Sequence, residues 1–361
     1  MTPLPPRSLV LSREHPNPLS ALITNSEKVT ESRQVEPCRS NTFARLVCGF
    51  TAAIVLGTTS LSFAQEKGTG ASKPSSVSPT KADPNDPKFA WKLSVPKPVA
   101  GPIPPLEPCR VSYTASWNNF IDVGEAYITL HPTIDLERLN EVLVMLPSTD
   151  ITDIPKTCVA GSATARTKGP VKLLWKYQCD VFSIIDGAKM TPKALHFQEG
   201  AKKIGETQFF GEFASADRFR SLRVKEKDKE GTKPRSLTYR DLPTPLDLLS
   251  SILYFRRLPL DVGDEVQMVV CPNEHPYLVI LTVEAHENHE VYDTDYNTIR
   301  LGIAMKKINP DGTLTEHEKF KTATVWLEKD GHRLPVEIRA EVFVGSVRVQ
   351  MKSHKPLKAT P

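Results

Sequence analysis

The nearest approach to a chemical pattern is His286-Glu287-Asn288-His289. A zinc peptidase needs H-E-x-x-H on a helix, with both histidines on one face and the glutamate as general base. Here the spacing is one residue short. On a strand, positions three apart face opposite sides, so the two rings would not converge. His275, Asp293 and Asp295 could extend the group into an adventitious cation site, but the ligand spacing of structural or catalytic zinc is missing. Asp261 and Asp264 pair two carboxylates, and Gly263 between them reads as a turn. The chain holds no G-x-S-x-G elbow, no G-x-x-x-x-G-K-[ST] loop and no G-x-G-x-x-G. Catalytic residues, a metal and a cofactor are all expected to be absent, and an enzyme is not expected.

Sulfur is the other reactive group. Of six cysteines, Cys38 and Cys48 fall in the N-terminal leader, and Cys109, Cys158, Cys179 and Cys271 remain. Four cysteines allow three pairings, and none forms a C-x-x-C. One or two disulfides are plausible in an oxidising compartment. Four buried free thiols are the equal alternative. Cys158 and Cys179 flank an expected strand–helix unit and are the candidate pair. They would close a loop of 22 residues, for which the chain-entropy view gives about 3 kcal/mol.

The leader points to export. Arg39 and Arg45 precede an apolar stretch from Leu46 to Leu61, and Ser62-Phe63-Ala64 offers small residues before Gln65. This is a signal-peptide arrangement over 1–64, with an unusually long n-region. A start assigned too far upstream, or an uncut anchor, are the other readings. No apolar run reaches the roughly 20 residues of a spanning helix. With 46 basic and 42 acidic residues the net charge is +4, no footprint for nucleic acid. Residues 65–108 carry ten prolines and read as an extended linker. Its two aromatic residues, Phe89 and Trp91, either dock on the domain or stay exposed.

From 109 to 353 the pattern is that of one β-rich domain, followed by a disordered tail at 354–361. Val336, Ile338, Ala340 and Val342 alternate with charged residues, as do Val347, Val349 and Met351 beyond Gly345. Period two means one buried face, and the turn between makes a hairpin. Further strands are expected at 110–118, 123–131, 141–146, 157–166, 191–199, 206–214, 218–227, 264–272, 277–287, 297–308 and 319–328. Thr244-Pro245-Leu246-Asp247 opens a helix over 245–256, with Thr244 as its cap. A second helix, 171–185, rests on the spacing of Leu174, Tyr177, Val181 and Ile185.

Four segments carry a family resemblance: Tyr113-x-x-Ser116-Trp117-Asn118-x-Phe120-x-x-Val123-Gly124-Glu125-Ala126, Asp247-Leu248-Leu249-Ser250-x-Ile252-Leu253-Tyr254-x-Arg256, Pro259-Leu260-x-x-Gly263-Asp264, and Trp326-Leu327-x-x-Asp330-x-x-Arg333-Leu334-Pro335-Val336. In these the chain resembles the exported bacterial family of domain of unknown function 3108. The resemblance spans about 110–352 and is weak over 135–240. It implies an antiparallel curved sheet or half-open β-barrel in the periplasm or cell envelope, and it implies no reaction.

The fold expected is therefore mainly β, a curved antiparallel sheet or half-open barrel with one or two short helices. Trp117, Asp247, Tyr254, Arg256, Asp330 and Arg333 are the candidate pocket or structural residues. Asp247 caps the helix, and Arg256 pairs with Asp247 or with an acid of the sheet. Two functions follow. One is a non-catalytic binding or scaffolding domain for an apolar or glycan ligand or another envelope protein, with no nucleic acid and at most peripheral membrane contact. The alternative is an envelope-polymer hydrolase with an unrecognised site. An apolar trough on the concave face favours the first, and converging histidines and acids favour the second.

Overall fold

The computed structural model describes residues 86–97, 101–118, 121–146, 158–174, 176–201, 203–226, 233–317, 320–342 and 345–358. The expected leader, and the linker as far as 85, lie outside them. The strands are β1 (Cys109–Trp117), β2 (Ile121–His131), β3 (Cys158–Thr167), β4 (Gln178–Asp186), β5 (Thr191–Gly200), β6 (Thr207–Ser215), β7 (Arg218–Lys225), β8 (Arg235–Tyr239), β9 (Glu265–Val270), β10 (Tyr277–Val291), β11 (Thr294–Ile308), β12 (Leu314–Glu316), β13 (Phe320–Glu328), β14 (Pro335–Val342) and β15 (Gly345–Pro356). The helices are α1 (Trp91–Ser94), α2 (Leu136–Met145), α3 (Val171–Leu174) and α4 (Leu248–Phe255).

All fifteen strands form one sheet in the order β8-β7-β6-β5-β4-β3-β2-β1-β15-β14-β13-β11-β10-β9, with β12 on β11. Every pairing within it is antiparallel. The sheet is not closed. Its two ends are joined by side chains instead of a ladder. Tyr239 of β8 is hydrogen-bonded to His275 Nδ1 at 2.7 Å, and Arg223 of β7 pairs with Glu274. Both partners sit in the β9–β10 turn. The expected tail is partly strand: β15 continues to Pro356, opposite Cys109.

Helix α4 lies on the inner face. Asp247 is its N-cap, in a capping box with Ser250. Thr244 is not the cap; it stands in the left-handed region at φ +38°, three residues upstream. The helix comes so close to β3 that a Cβ on Gly161 would lie 2.9 Å from Leu249 Cδ1. A side chain at 161 would have to push the Leu249 methyl aside. The chain entering α4 is fixed to the sheet by Leu246, which exchanges main-chain bonds with Val269 (2.9 Å) and Cys271 (2.6 Å).

Two sequence expectations fail here for one reason. Residues 141–145 belong to helix α2, with Leu146 as its C-cap, not to a strand, and 178–186 form strand β4, not the second half of a helix. Helix α2 packs Leu139, Val142, Leu143 and Leu146 on the outer face, against Phe182, Ile184, Ala194 and Phe210. Val181 and Ile185 of β4 belong to the inner core. A strand buried on both faces reads as an unbroken apolar run, which periodicity cannot tell from a helix.

The described part of the expected linker is not free. Phe89 and Val95 are buried. Trp91 Nε1 donates to the Gly312 carbonyl at 3.2 Å, and Ser94 Oγ donates to Gln267 at 2.6 Å. Gln267 points outward from edge strand β9, on the side of the fully buried Val269. This segment is therefore a strap over the outer face of β9, while the ladder edge of β9 is met by Leu246.

Candidate functional site: an apolar trough under helix α4

Between α4 and the inner face runs a trough with a cavity volume of about 120 Å³. That is several times the ~10–15 Å³ needed to admit one water. The helix supplies Leu248, Ser251, Ile252 and Phe255, the i, i+3, i+4, i+7 face. The sheet supplies Met268 and Val270 of β9, Tyr277, Val279 and Leu281 of β10, Leu301, Ile303 and Met305 of β11, Ala323 and Val325 of β13, Ile338 of β14, Tyr113 of β1 and Ile128 of β2. Alternation puts every one of these strand residues on one face. The polar atoms of the lining side chains come only from Ser251, Tyr113 and Tyr277. A smaller pocket continues the trough past Tyr113, Ile128, Ile252 and Pro335 toward Leu106, Cys109, Val111 and Leu334.

The six candidate residues lie around this trough, not in its wall. Asp247 is fully buried at the N-terminus of α4. Its carboxylate accepts from Ser250 N at 2.7 Å and from the Ser183 hydroxyl. Burial pushes its pKa up against these bonds. Arg256, at the other end of the helix, does not pair with Asp247 or with a sheet acid, as the sequence suggested. Its Nε donates to the His332 carbonyl (2.9 Å) and its Nη1 to the Pro104 carbonyl (2.8 Å). Arg333, at φ +52°, donates to the Leu258 and Arg256 carbonyls. Arg256 and Arg333 are thus brought together. Tyr254 is buried in the inner core, and burial raises its hydroxyl. Trp117 ends β1 opposite Val347 and Ile121. Asp330 accepts from Asn297 Nδ2 at 2.9 Å.

The proposed disulfide is excluded by the register. Cys158 pairs with Asp186 and Cys179 with Ala165, seven residues away along the same strand pair, roughly 23 Å at strand rise. The two also face opposite sides, Cys179 the inner core and Cys158 the outer. Cys109, Cys158, Cys179 and Cys271 are all free and buried. Burial pushes Cys109 and Cys158 to about 11 and Cys179 to about 12, and raises Cys271 well above its usual value. They are protonated thiols, unsuited to nucleophilic attack.

The histidines of the 286–289 segment go to separate partners. His286 is hydrogen-bonded to the Leu260 carbonyl at 2.9 Å, and His289 stacks on Trp326 with centroids 4.3 Å apart. His289 does approach an acid, Glu337, at 3.3 Å on the outer face. That carboxylate is fully buried and also accepts from Arg339, Arg348 (2.7 Å) and Gln350 (3.1 Å). Burial raises its pKa, but bonds and charge from Arg348 and Arg339 outweigh that and hold it low. An ionised carboxylate saturated by donors ties β14, β15 and β10 together; it has no proton to give.

The fold is an open, mainly antiparallel β-sheet of fifteen strands with few short helices. The chain belongs to the protein family of unknown function DUF3108, whose family model matches residues 112–352. Among solved structures it is similar to a beta-barrel-like protein of domain of unknown function DUF1849 from Brucella abortus, with TM-score 0.45 and 8% identity over 71% of this chain and 100% of that one. It is also similar to a protein with a YmcC-like fold from Bacteroides fragilis, with TM-score 0.27 and 8% identity over 71% and 100% of the two chains. No curated protein matches the chain.

Sequence reasoning missed the wall of the trough. The signal was present in α4 itself. Leu249 and Leu253 face the core, while Leu248, Ile252 and Phe255 are apolar on another side. A helix apolar on two sides has two apolar neighbours.

Proposed function

We propose that this chain is an exported, non-catalytic binding protein of the cell envelope whose trough takes an apolar, chain-like ligand. The trough under α4 carries the reading: a continuous wall of aliphatic and aromatic side chains on both helix and sheet, with a handful of hydroxyls. Sites of this composition hold ligands by burial and orient them with few polar groups. Export rests on Arg45, the Leu46–Leu61 stretch and the Ser62-Phe63-Ala64 exit. The test is uptake of the neutral fluorophore N-phenyl-1-naphthylamine. The native chain is expected to bind it, and Ala323→Phe, which fills the wall of β13, to weaken binding at least tenfold. Thr322→Phe, one residue away on the outer face, is expected to leave it unchanged. Equal binding by all three would sink the proposal.

A further inference from the structure

At the end of the trough bounded by Leu106, Cys109 and Leu334, three buried arginines converge. Arg256, Arg257 and Arg333 are 2%, 9% and 8% exposed. Arg256 and Arg333 bond to the carbonyls given above, and Arg257 donates from Nε to the Ile103 carbonyl at 2.9 Å and from Nη2 to that of Gly101 at 3.4 Å. All their acceptors are main-chain carbonyls. These bonds satisfy donors but leave three like charges unneutralised, and among the described residues none of the three forms an ion pair. The strain is visible in Arg256, which burial and then repulsion from Arg257 and Arg333 bring down to about 10. Asp330, the acid that acts on Arg333, is turned to Asn297. The thiol of Cys109 stays neutral. His354, whose ring lies 4.3 Å from that of His332, keeps a buried Nε2 without a partner. Buried positive charge with no counter-ion is costly, and an anion would relieve it.

None of the three arginines lines the trough, but their neighbours in the chain do. Phe255 precedes Arg256 and lines it, Leu334 and Pro335 follow Arg333 and line it, and Cys109, which feels the charge of Arg256, lines it too. We propose that the ligand is an amphiphile with an anionic head, a carboxylate or phosphate, seated against Arg256, Arg257 and Arg333, its tail lying along α4 toward Met305. This rests on the trough being a binding site.

The experiment is calorimetric titration of the full chain, below micellar concentrations, with dodecanoate, dodecyl phosphate, dodecanol and inorganic phosphate. Both anionic dodecyl ligands are expected to bind at least tenfold more tightly than dodecanol, about 1.4 kcal/mol. In Arg257→Met that preference should fall below threefold while dodecanol binding is kept. The comparison among ligands on the native chain stands even if the variant fails to fold. Equal affinity for dodecanoate and dodecanol would overturn the head-group assignment and leave the trough intact. Inorganic phosphate binding as tightly as dodecyl phosphate would overturn the amphiphile in favour of a free anion. Failure of every dodecyl ligand would refute the trough reading itself.

Discussion

Asp247 offers the sharpest test of how the inner helix is held. Replacing it with alanine removes the N-cap acceptor of Ser250 N, worth about 1 kcal/mol. It also strands the fully buried Ser183 hydroxyl, at roughly 1–3 kcal/mol. Against this stands relief of a buried carboxylate, so a net loss of about 2–3 kcal/mol is expected for Asp247→Ala. Asp247→Asn is different. The amide oxygen can still accept from Ser250 N, and the Ser183 hydroxyl can rotate to accept from the amide nitrogen. Its stability should stay within about 1 kcal/mol of the native chain. The dependence on pH has a definite sign. Burial raises the folded pKa of Asp247 above its ordinary 3.8. The fold therefore favours the protonated acid, and that contribution is complete below 3.8 and lost as pH rises through the folded value. Asp247→Asn should gain on the native chain between pH 4 and pH 7. Urea unfolding followed by tryptophan fluorescence at the two pH values measures this, provided the slope with urea is unchanged. If asparagine costs as much as alanine, or alanine costs under about 0.5 kcal/mol, Asp247 is not the cap that organises the helix.

Two further outcomes are expected. Glu337→Gln should destabilise by about 3 kcal/mol, because it leaves Arg348 and Arg339 around a site with no opposing charge. Since the folded pKa of Glu337 is held below 4.5, its contribution is present above that value and lost as pH falls through the folded one, so the native and variant stabilities should converge in acid. The strap makes a different prediction: trypsin should spare Lys92 in the native chain and cut there in a Phe89→Ala, Trp91→Ala double variant. Rapid cleavage of the native chain at Lys92 would show that the strap does not stay docked.

What the sequence made legible follows from how many faces of each element are buried. The hairpin of β14 and β15 has one apolar face and one charged face along most of its length, so its alternation was readable. Helix α4 carried its own cap, Asp247, and the apolar Leu249 and Leu253, so its existence was readable though its start was misplaced by proline-based reasoning at Thr244. Strand β4 was not readable, because α2 buries Phe182 and Ile184 while the inner core buries Val181 and Ile185. Helix α2 was hidden by the short run Val142-Leu143-Val144-Met145-Leu146, although Asp135 as a cap and Leu139, Val142, Leu143 and Leu146 at helical spacing announced it. In the strap the prolines suggest an extended spacer, and of the two readings open for Phe89 and Trp91 the contacts favour docking, with Val95 buried beside them. At the site, Asp247, Tyr254 and Arg256 drew notice through the segments that carry the family resemblance, yet Asp247 and Arg256 mark how the helix is anchored. The trough is made by its plainest residues.

That the trough exists at all is a matter of dimensions. The wall runs from β9 through β10, β11, β13, β14, β15 and β1 to β2, seven steps in the strand order, or roughly 34 Å of arc at ~4.8 Å per step. Helix α4 has eight residues and is about 12 Å long. A helix of that length cannot cover a face of that width, and the strap, which could have helped, lies on the outer side of β9. The inner face therefore keeps a gap under the helix, where Leu248, Ile252, Phe255, Val279, Ile303 and Met305 stay partly exposed while Met268, Val270, Leu301, Val325 and Ile338 behind them are buried. Lengthening the helix would have been the simple remedy for stability alone. The chain instead stops α4 at Arg256 and Arg257 and turns both guanidinium groups onto the carbonyls of the segment leading into β1. Any apolar molecule that fills the remaining surface then stabilises the folded chain by mass action, in proportion to the logarithm of its concentration over its dissociation constant, so occupancy of the trough and stability of the sheet that forms it are linked.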